Sequence, residues 1–270
     1  MSYVTNINEV KKNDIYVMIN NDYGNIEKLL KKGVSKIICD KKYKDKRIKN
    51  VKNVKKYLEK VIQKENKILN KYTNIILIMG YKYKYDVVFN TYKYFVNQKE
   101  SVILLKNNGY YINKKYHKIN SSISKLTINK LLNIAKEKNI KQFIIAINNV
   151  SLKSDILKSL EIRNTTVTSF IGNDYKYLRR ILNKTNDSII INNDESFSKI
   201  IRKKYKNVIT VGKKGNYKID FFYKQFEYEY NLYNMTVNDT NGIYSLILTY
   251  ATLSSLGYNL NNIKKVLTIC

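Results

Sequence analysis

The alternation of short apolar runs with helical segments constrains the fold of this chain more than any other feature. The run Asn74–Met79 (NIILIM) is unbroken, as in a strand that other layers cover on both faces. Residues 54–70 instead repeat apolar side chains at helical spacing, as in an amphipathic helix. Repeated β–α units predict an α/β fold with a mostly parallel sheet flanked by helices. Aromatic and polar residues alternate in residues 217–237, which predicts antiparallel strands there.

The positions of these signals divide the chain into two predicted domains. Strands are predicted at residues 14–19, 36–39, 74–79, 101–105, 142–147, 166–171, 188–191 and 207–211. Helices are predicted at residues 25–32, 54–70, 87–95, 127–138, 152–160, 175–182, 195–204, 241–256 and 260–267. The opening β-α-β-α unit ends near residues 70–73. We therefore predict a small N-terminal α/β domain at residues 1–72 and a central domain at residues 73–270.

The composition excludes several classes of site. The 270 residues hold two cysteines, Cys39 and Cys270, and one histidine, His117. A disulfide framework, a histidine-based metal cluster and a Ser-His-Asp triad are therefore excluded, and no metal is expected. No apolar run reaches the roughly 18 residues that span a membrane, and the N-terminus lacks the apolar stretch of a signal peptide. We therefore expect a cytoplasmic protein without a membrane span.

The net charge of +29 has two explanations, which the sequence leaves open. Lysine, asparagine, isoleucine and tyrosine, which have A/T-rich codons, are abundant, while proline and tryptophan are absent. The codon bias of an A/T-rich genome accounts for this pattern without any binding partner. Alternatively, the interleaved lysines and tyrosines of residues 81–85 (YKYKY) suit a nucleic-acid or anionic-surface binder, because tyrosines stack on bases while lysines hold phosphates. In either case the charge predicts non-specific attraction of anions and RNA at low salt.

The turn after the run Asn74–Met79 has the layout of a phosphate-binding loop. Gly80 begins the turn, Lys84 ends it, and a helix follows. In such loops backbone N–H groups close on phosphate oxygens, the lysine supplies a cation, and a Ser or Thr hydroxyl binds Mg²⁺. Here Tyr83 occupies the second glycine position and Tyr85 occupies the Ser/Thr position. On this stretch alone, an ordinary βα turn with a solvated lysine is the alternative.

Further segments match one known family in their order along the chain. Besides the turn, they are residues 13–18, 33–38, 126–128, 144–151, 168–171, 175–179, 189–195, 211–212, 240–244 and 251–267. In this order the segments resemble the Mur ligases, closest to the UDP-N-acetylmuramoyl-tripeptide synthetase branch. The resemblance implies a small UDP-binding N-terminal domain and a P-loop-like, ATP-binding central domain, with the C-terminal ligase domain absent. It also implies a relation to peptidoglycan biosynthesis for the cell wall, in which ATP drives the joining of an amino acid to a UDP-N-acetylmuramoyl peptide.

The resemblance also assigns roles to individual residues. It implies residual ATP binding by Gly80, Lys84, Asn192, Asp194 and Asn241, and residual substrate binding by Thr127 and Arg179. Ordinary roles also remain open: Lys84 as a surface lysine, Thr127 as a helix N-cap, and Asn193 or Asp194 as the cap of the next helix.

Several features of the family are missing from this chain. Tyrosines replace the second loop glycine and the Mg²⁺-binding hydroxyl, and Tyr244 replaces one of two adenine-side asparagines. The metal-binding glutamate has no acidic counterpart in residues 143–150, and the acidic stretch after residues 168–171 is reduced to residues 172–174. Arg179 stands where the family has a carbamylated lysine. Each loss removes transition-state stabilisation, so we predict a pseudoenzyme with a degenerate P-loop and no catalytic residue.

Three functional hypotheses follow. The first is a catalytically inactive, or only ligand-binding, Mur-ligase-like protein whose partner is a UDP-muramoyl peptide or a genuine Mur ligase. The second is a working ligase whose third domain another chain supplies, in which case ATP and Mg²⁺ are its cofactors. The third is a basic, Lys/Tyr-rich protein that binds nucleic acid or an anionic surface.

Overall fold

The computed structural model describes residues 3–119, 123–148, 155–170, 175–221, 223, 225–229, 231–234 and 240–267. The strands are β1 Tyr3–Val4, β2 Ile15–Val17, β3 Lys36–Cys39, β4 Ile48–Asn50, β5 Asn74–Met79, β6 Val102–Lys106, β7 Gly109–Ile112, β8 Lys115–Lys118, β9 Gln142–Ile147, β10 Ile162–Val167, β11 Thr185–Asn192, β12 Val208–Gly212, β13 Tyr217–Asp220, β14 Gln225–Tyr228 and β15 Asn231–Asn234. The α-helices are α1 Ile26–Lys31, α2 Val54–Leu69, α3 Lys84–Asn97, α4 Lys125–Glu137, α5 Tyr175–Leu182, α6 Ser198–Lys204, α7 Thr240–Ser254 and α8 Leu260–Leu267.

Within the described residues, the strands form two sheets. The smaller sheet consists of β1 to β4 in that order, and all of its pairings are parallel. The larger sheet has eleven strands in the order β15-β14-β13-β12-β11-β10-β5-β9-β6-β7-β8. Its inner strands, from β13 to β6, pair in parallel, and an antiparallel pair of strands extends it at either end. The predicted α/β fold, with a mostly parallel sheet flanked by helices, is therefore confirmed.

The side chains of β5 show how the larger sheet is covered. Ile76 and Ile78 point to one face, where they pack with buried residues of α3, α7 and α8. Ile75, Leu77 and Met79 point to the other face, where they pack with buried residues of α4, α5 and α6. Each of these strand side chains is at most 1% exposed, and burying one of them contributes roughly 1.5–3 kcal/mol to folding. A ligand can therefore reach the centre of this sheet only at the ends of its strands.

Helix α2 packs against elements of both sheets. Its Leu58 lies in the core of the smaller sheet, whereas Leu69 lies in the core of the larger sheet. Between them the buried Asn66 donates from Nδ2 to Ser159 Oγ at 2.7 Å and accepts at Oδ1 from Asn129 Nδ2 at 3.0 Å. Because an unpaired buried amide is costly, these bonds hold α2 in one orientation against the larger sheet.

The strand predictions have one wrong pair of bounds and several omissions. The strand predicted at residues 166–171 is wrong, because β10 begins at Ile162 and ends at Val167. Arg163 and Asn164 interrupt the apolar run and conceal its start, although Asn164 is fully buried and hydrogen-bonded. The sequence did not predict four further strands, β1, β4, β7 and β8. In β7 and β8 the lysines, tyrosines and single histidine give no clear apolar alternation.

Some predictions lie outside the described residues. Among them are residues 149–151 and 171–174, which belong to segments that match the family. The helix predicted at residues 152–160 is described only from residue 155, where a 3₁₀ turn spans Asp155–Leu157. In the part of the chain that is described, no helix is both long and apolar enough to cross a membrane.

Candidate functional site

The strand register brings several polar residues to one edge of the larger sheet. Met79 lies opposite Ile147 of β9 and Val167 of β10, and Val167 lies opposite Ile191 of β11. These strands run in parallel, so the residues next along each of them lie at a common edge, which we call the carboxyl edge. Ligands of open α/β sheets bind at such an edge. The residues placed there are Gly80, Asn148, Thr168, Ser169, Asn192 and Asp194.

Gly80 begins the first glycine turn, which comprises residues 80–83. Its φ is +138°, a conformation that residues with a side chain rarely adopt. A Cβ at this position would lie 2.2 Å from Thr168 Oγ1 and 2.8 Å from Ser169 N. Glycine is therefore required by the backbone angle and by the close approach of the segment that follows β10.

The backbone donors of the first glycine turn are bonded within the protein. Tyr81 N donates to Ser169 Oγ at 2.9 Å, and Lys82 N donates to the same oxygen at 2.8 Å. Thr168 Oγ1 donates to the carbonyl oxygen of Lys82 at 2.6 Å. Two N–H groups of the kind that a phosphate-binding loop presents to its ligand are therefore taken up by a serine hydroxyl.

Lys84, the first residue of α3, is buried rather than solvated. Its side chain is 2% exposed, and Nζ donates to Asn148 Oδ1 at the end of β9. The ammonium also lies 4.6 Å from the ring centroid of Tyr85, which is a cation–π distance. Burial lowers the pKa of Lys84, because desolvation disfavours the charged form. The alternative interpretation of Lys84 as a surface lysine is wrong.

An aromatic stack stands beside this turn. Tyr83 has a φ of +63°, and its ring stacks on that of Tyr244 of α7 at a centroid distance of 5.3 Å. The Tyr244 hydroxyl donates to Asp194 Oδ2 at 2.5 Å. Burial, followed by this hydrogen bond, raises the pKa of Tyr244 well above its usual value. Tyr83 and Tyr244, which lie 161 residues apart in the sequence, are therefore in contact with each other.

Asp194 joins β11 to the second glycine turn, which comprises residues 212–216. Its carboxylate Oδ2 accepts from Lys213 N at 3.0 Å, while its own N–H donates to Asn192 Oδ1 at 3.0 Å. Gly212 has a φ of +151°, and a Cβ there would lie 2.7–2.9 Å from the Asp194 carboxylate. Helix α6 begins only at Ser198, so Asp194 does not cap it.

The structure separates the predicted site residues into two groups. Gly80, Lys84, Asn192 and Asp194 lie at the carboxyl edge, and Asn241 is the second residue of α7, the helix that also carries Tyr244. Among the described residues, neither Thr127 nor Arg179 forms a hydrogen bond or ion pair with the four edge residues.

Thr127 and Arg179 lie on helices that cover the other face of the sheet from α3. Thr127 N donates to Ser124 Oγ at 3.1 Å, and Ser124 N donates to Thr127 Oγ1 at 3.4 Å. This reciprocal pair is a capping box at the start of α4, with Ser124 as the N-cap. The alternative of Thr127 as the helix N-cap is therefore wrong, because Ser124 is the N-cap and Thr127 occupies the third helical position of the capping box. Arg179 is exposed on α5.

Sequence reasoning did not identify the residues that close the first glycine turn. Asn148 and Ser169 fell within segments that match the family, but neither was predicted to contact the turn. The available signal was a polar residue directly after each apolar strand, which marks the edge of a parallel sheet. Among the described residues, no three His, Cys, Asp or Glu side chains gather into a group that could hold a metal ion.

Solved structures of amide-forming ligases share this fold. A UDP-N-acetylmuramoyl-L-alanyl-D-glutamate–2,6-diaminopimelate ligase aligns with 100% of this chain, with a TM-score of 0.72 at 12% sequence identity. The MurF ligase from Thermotoga maritima, solved in complex with ADP, aligns with 96% of this chain, with a TM-score of 0.64 at 15% identity. The folylpolyglutamate synthase from Thermotoga maritima aligns with 79%, with a TM-score of 0.54 at 13% identity.

The likeness to these structures is one of fold. This chain spans 62% of the length of the diaminopimelate ligase, 64% of MurF and 65% of the synthase. No family model matches the sequence, and no curated protein matches it. The predicted resemblance to the Mur ligases is therefore confirmed at the level of the fold.

Proposed function

We propose that this chain is a Mur-ligase-like protein that does not carry out ATP-dependent ligation and that acts by binding a ligand or a partner. The carrying observation is the closure of the first glycine turn. Tyr81 N and Lys82 N both donate to Ser169 Oγ, at 2.9 and 2.8 Å. A phosphate at this turn has to displace the serine hydroxyl before it gains either donor.

The remaining groups at the carboxyl edge do not fit a Mg²⁺–ATP complex either. The Lys84 ammonium is buried against Asn148 instead of facing a phosphate. The Asp194 carboxylate accepts from Tyr244 and from Lys213 N, and Glu195 lies 3.8 Å from Lys82 Nζ. Each buried group that lost its partner to make room for a ligand would cost roughly 1–3 kcal/mol.

The substrates of the related ligases suggest which ligand this chain binds. The diaminopimelate ligase acts on a UDP-N-acetylmuramoyl peptide. We propose that residues 1–72 correspond to the UDP-binding-like domain of such enzymes and residues 73–270 to their ATP-binding-like domain. The partner that follows from this correspondence is a UDP-muramoyl peptide or a genuine Mur ligase.

Calorimetric titration with Mg²⁺–ATP tests the proposal directly. The purified chain should bind Mg²⁺–ATP no more tightly than it binds tripolyphosphate, because any heat common to both ligands reports a site for phosphate groups alone and not a nucleotide site at the first glycine turn. MurF from Thermotoga maritima, which was solved with ADP, is the positive control. Micromolar binding of Mg²⁺–ATP that is clearly tighter than binding of tripolyphosphate, or ATP-dependent amide synthesis by the chain, would refute the proposal.

A pair of variants tests whether closure of the first glycine turn is what prevents Mg²⁺–ATP from binding. Ser169→Ala combined with Tyr83→Gly removes the internal acceptor and the ring at the second glycine position. We expect this double variant to bind Mg²⁺–ATP more tightly than the wild type does but less tightly than MurF, because Lys84 and Asp194 keep their internal partners. Ser169→Ala combined with Tyr81→Gly is the matched control, since the Tyr81 ring is 49% exposed in the same turn. Equal behaviour of the two double variants would show that Tyr83 does not block the site.

A further inference from the structure

A concave site lies beside the second glycine turn. It is a pocket of about 430 Å³ between the end of α6, β12 and the second glycine turn. Val208 and Thr210 of β12 line it, whereas Ile209 and Val211 point to the opposite face, toward α3 and α7. The volume lies in the range of pockets that hold small molecules.

The floor of this pocket is a tightly bonded turn. Thr210 N donates to Asn216 Oδ1 at 2.9 Å, and Asn216 N donates to Thr210 Oγ1 at 2.8 Å. A Cβ on Gly215 would lie 2.7 Å from Thr210 O, so the turn fits against the strand only with glycine there. The turn is therefore fixed in place before any ligand arrives, which lowers the entropic cost of binding.

One amide links cationic residues on two walls of the pocket. Arg202 Nη1 of α6 donates to Asn193 Oδ1 at 2.8 Å, and Asn193 Nδ2 donates to the carbonyl oxygen of Lys214 at 3.2 Å. Asn193 thus ties the guanidinium of one wall to the backbone of the other. Lys206, which follows α6, adds a third cation to the lining.

The charge of the lining is of one sign. Arg202, Lys206 and Lys214 line the pocket, and no carboxylate among the described residues does so. Nor does any described carboxylate form an ion pair with these three side chains. The three side chains are exposed, so salt screens each charge separately, but cations that line one concave surface act together on an anion bound there.

We propose that this pocket binds a small phosphate-bearing anion, held by Arg202, Lys206 and Lys214. Guanidinium groups bind phosphate oxygens in a bidentate manner, and lysines add point charges. The half-buried ring of Tyr205 forms part of the wall, with its hydroxyl held by Asn183 Oδ1 at 2.8 Å. The site does not depend on the proposed loss of ligase activity, because none of its cations takes part in closing the first glycine turn.

Titration of the full chain with tripolyphosphate at about 150 mM salt tests this assignment, because non-specific attraction is largely screened there. The site variant is the triple substitution R202Q/K206Q/K214Q. The matched control is K176Q/K199Q/K203Q, which removes the same charge from exposed positions on α5 and α6 that do not line the pocket. Circular dichroism checks that both variants remain folded.

We expect saturable one-to-one binding by the wild type, weakened at least about tenfold in the site variant and by less than about twofold in the control. Equal weakening in both variants would overturn the assignment, because it would show that binding depends on the net charge of the protein and not on the pocket. Absence of saturable binding to the wild type would also overturn it. A parallel titration with oligouridylate distinguishes a small-anion site from an RNA-binding surface. Saturable binding of RNA but not of tripolyphosphate would contradict a small-anion site.

Discussion

The two glycine turns at the carboxyl edge share a backbone conformation at their first residue but differ in the side chain that accepts their N–H groups. Each starts with a glycine at positive φ, +138° for Gly80 and +151° for Gly212, and each donates backbone N–H groups to a neighbouring side chain. In the first turn the acceptor is the neutral hydroxyl of Ser169, which takes two N–H groups. In the second turn the acceptor is the carboxylate of Asp194, and the rest of the turn forms the floor of the basic pocket.

The difference shows that closure depends on the neighbouring strand rather than on the turn itself. The first turn lies beside β10, whose following residues press against it and use its donors. The second turn lies beside β11, which supplies one acidic acceptor and leaves the far side of the turn open. A glycine with positive φ after a parallel strand therefore begins a closed turn beside β10 and the floor of an open pocket beside β11.

The largest expected effect comes from adding a methyl group to each glycine. Gly80→Ala should lower the free energy of unfolding by about 4 kcal/mol, because backbone strain adds to a clash with Thr168 and Ser169. Gly212→Ala should cost about 2 kcal/mol, because the atoms it meets belong to the Asp194 carboxylate, which can rotate away. Urea denaturation of both variants measures the difference. Equal costs would mean that the two turns are equally confined.

Removing the shared acceptor should have the next largest effect. Ser169→Ala leaves Tyr81 N and Lys82 N without their common partner, so we expect a loss of about 2 kcal/mol in the free energy of unfolding. Ser101→Ala is the control, since its hydroxyl makes only a long, exposed contact of 3.5 Å. If Ser169→Ala were as neutral as the control, the turn would not depend on this hydroxyl.

Removal of one hydroxyl tests the link between the two turns. Tyr244→Phe keeps the stack on Tyr83 but loses the hydrogen bond to Asp194, so we expect a cost of about 1 kcal/mol at neutral pH. The folded-state pKa of Tyr244 is raised above 10.0, so this contribution is present below pH 10 and is lost as the pH rises through the folded value. Tyr85→Phe, with a ring that is 54% exposed, is the control in the same urea experiment.

The smallest effect is a change in pH dependence at Lys84. Burial lowers its folded-state pKa below 10.5, so between the folded value and pH 10.5 the unfolded chain binds a proton that the folded chain does not. Stability from this group therefore rises with pH in that window. The wild type should gain stability relative to Lys84→Met as the pH is raised from 8 to 10. A constant or falling difference in urea midpoints would contradict the burial of a charged lysine.

Much of the fold was predictable because it depends on local patterns. The strand Asn74–Met79 and the helix at Tyr175–Leu182 have the predicted bounds, since an unbroken apolar run and a helical stripe are properties of neighbouring residues. The hairpin of β7 and β8 was not predictable in this way. Its residues are mostly half-exposed and polar, and the strands form because β6 offers an edge with which they can pair.

The candidate site was predictable only in part, because its residues contact partners that lie far away in the sequence. Gly80 and Lys84 could be identified from a local turn pattern, but the acceptor of that turn is Ser169, 88 residues later. Likewise, the burial of Lys84 depends on Asn148, 64 residues later. Such contacts follow from the order of strands in the sheet, and hydrophobic periodicity gives the strands without giving their order.

The central position of β5 has a consequence for how this protein is made. Its neighbours in the sheet are β9 and β10, so the strand pairs only with segments that are synthesised much later. Ser169 leaves the ribosome 88 residues after Tyr81, a delay of roughly 4–18 seconds at about 5–20 residues per second. Throughout that interval Tyr81 N and Lys82 N lack the acceptor that Ser169 gives them in the folded protein. The first glycine turn can therefore close only after the nascent chain has extended past Ser169 and β10 has joined the sheet.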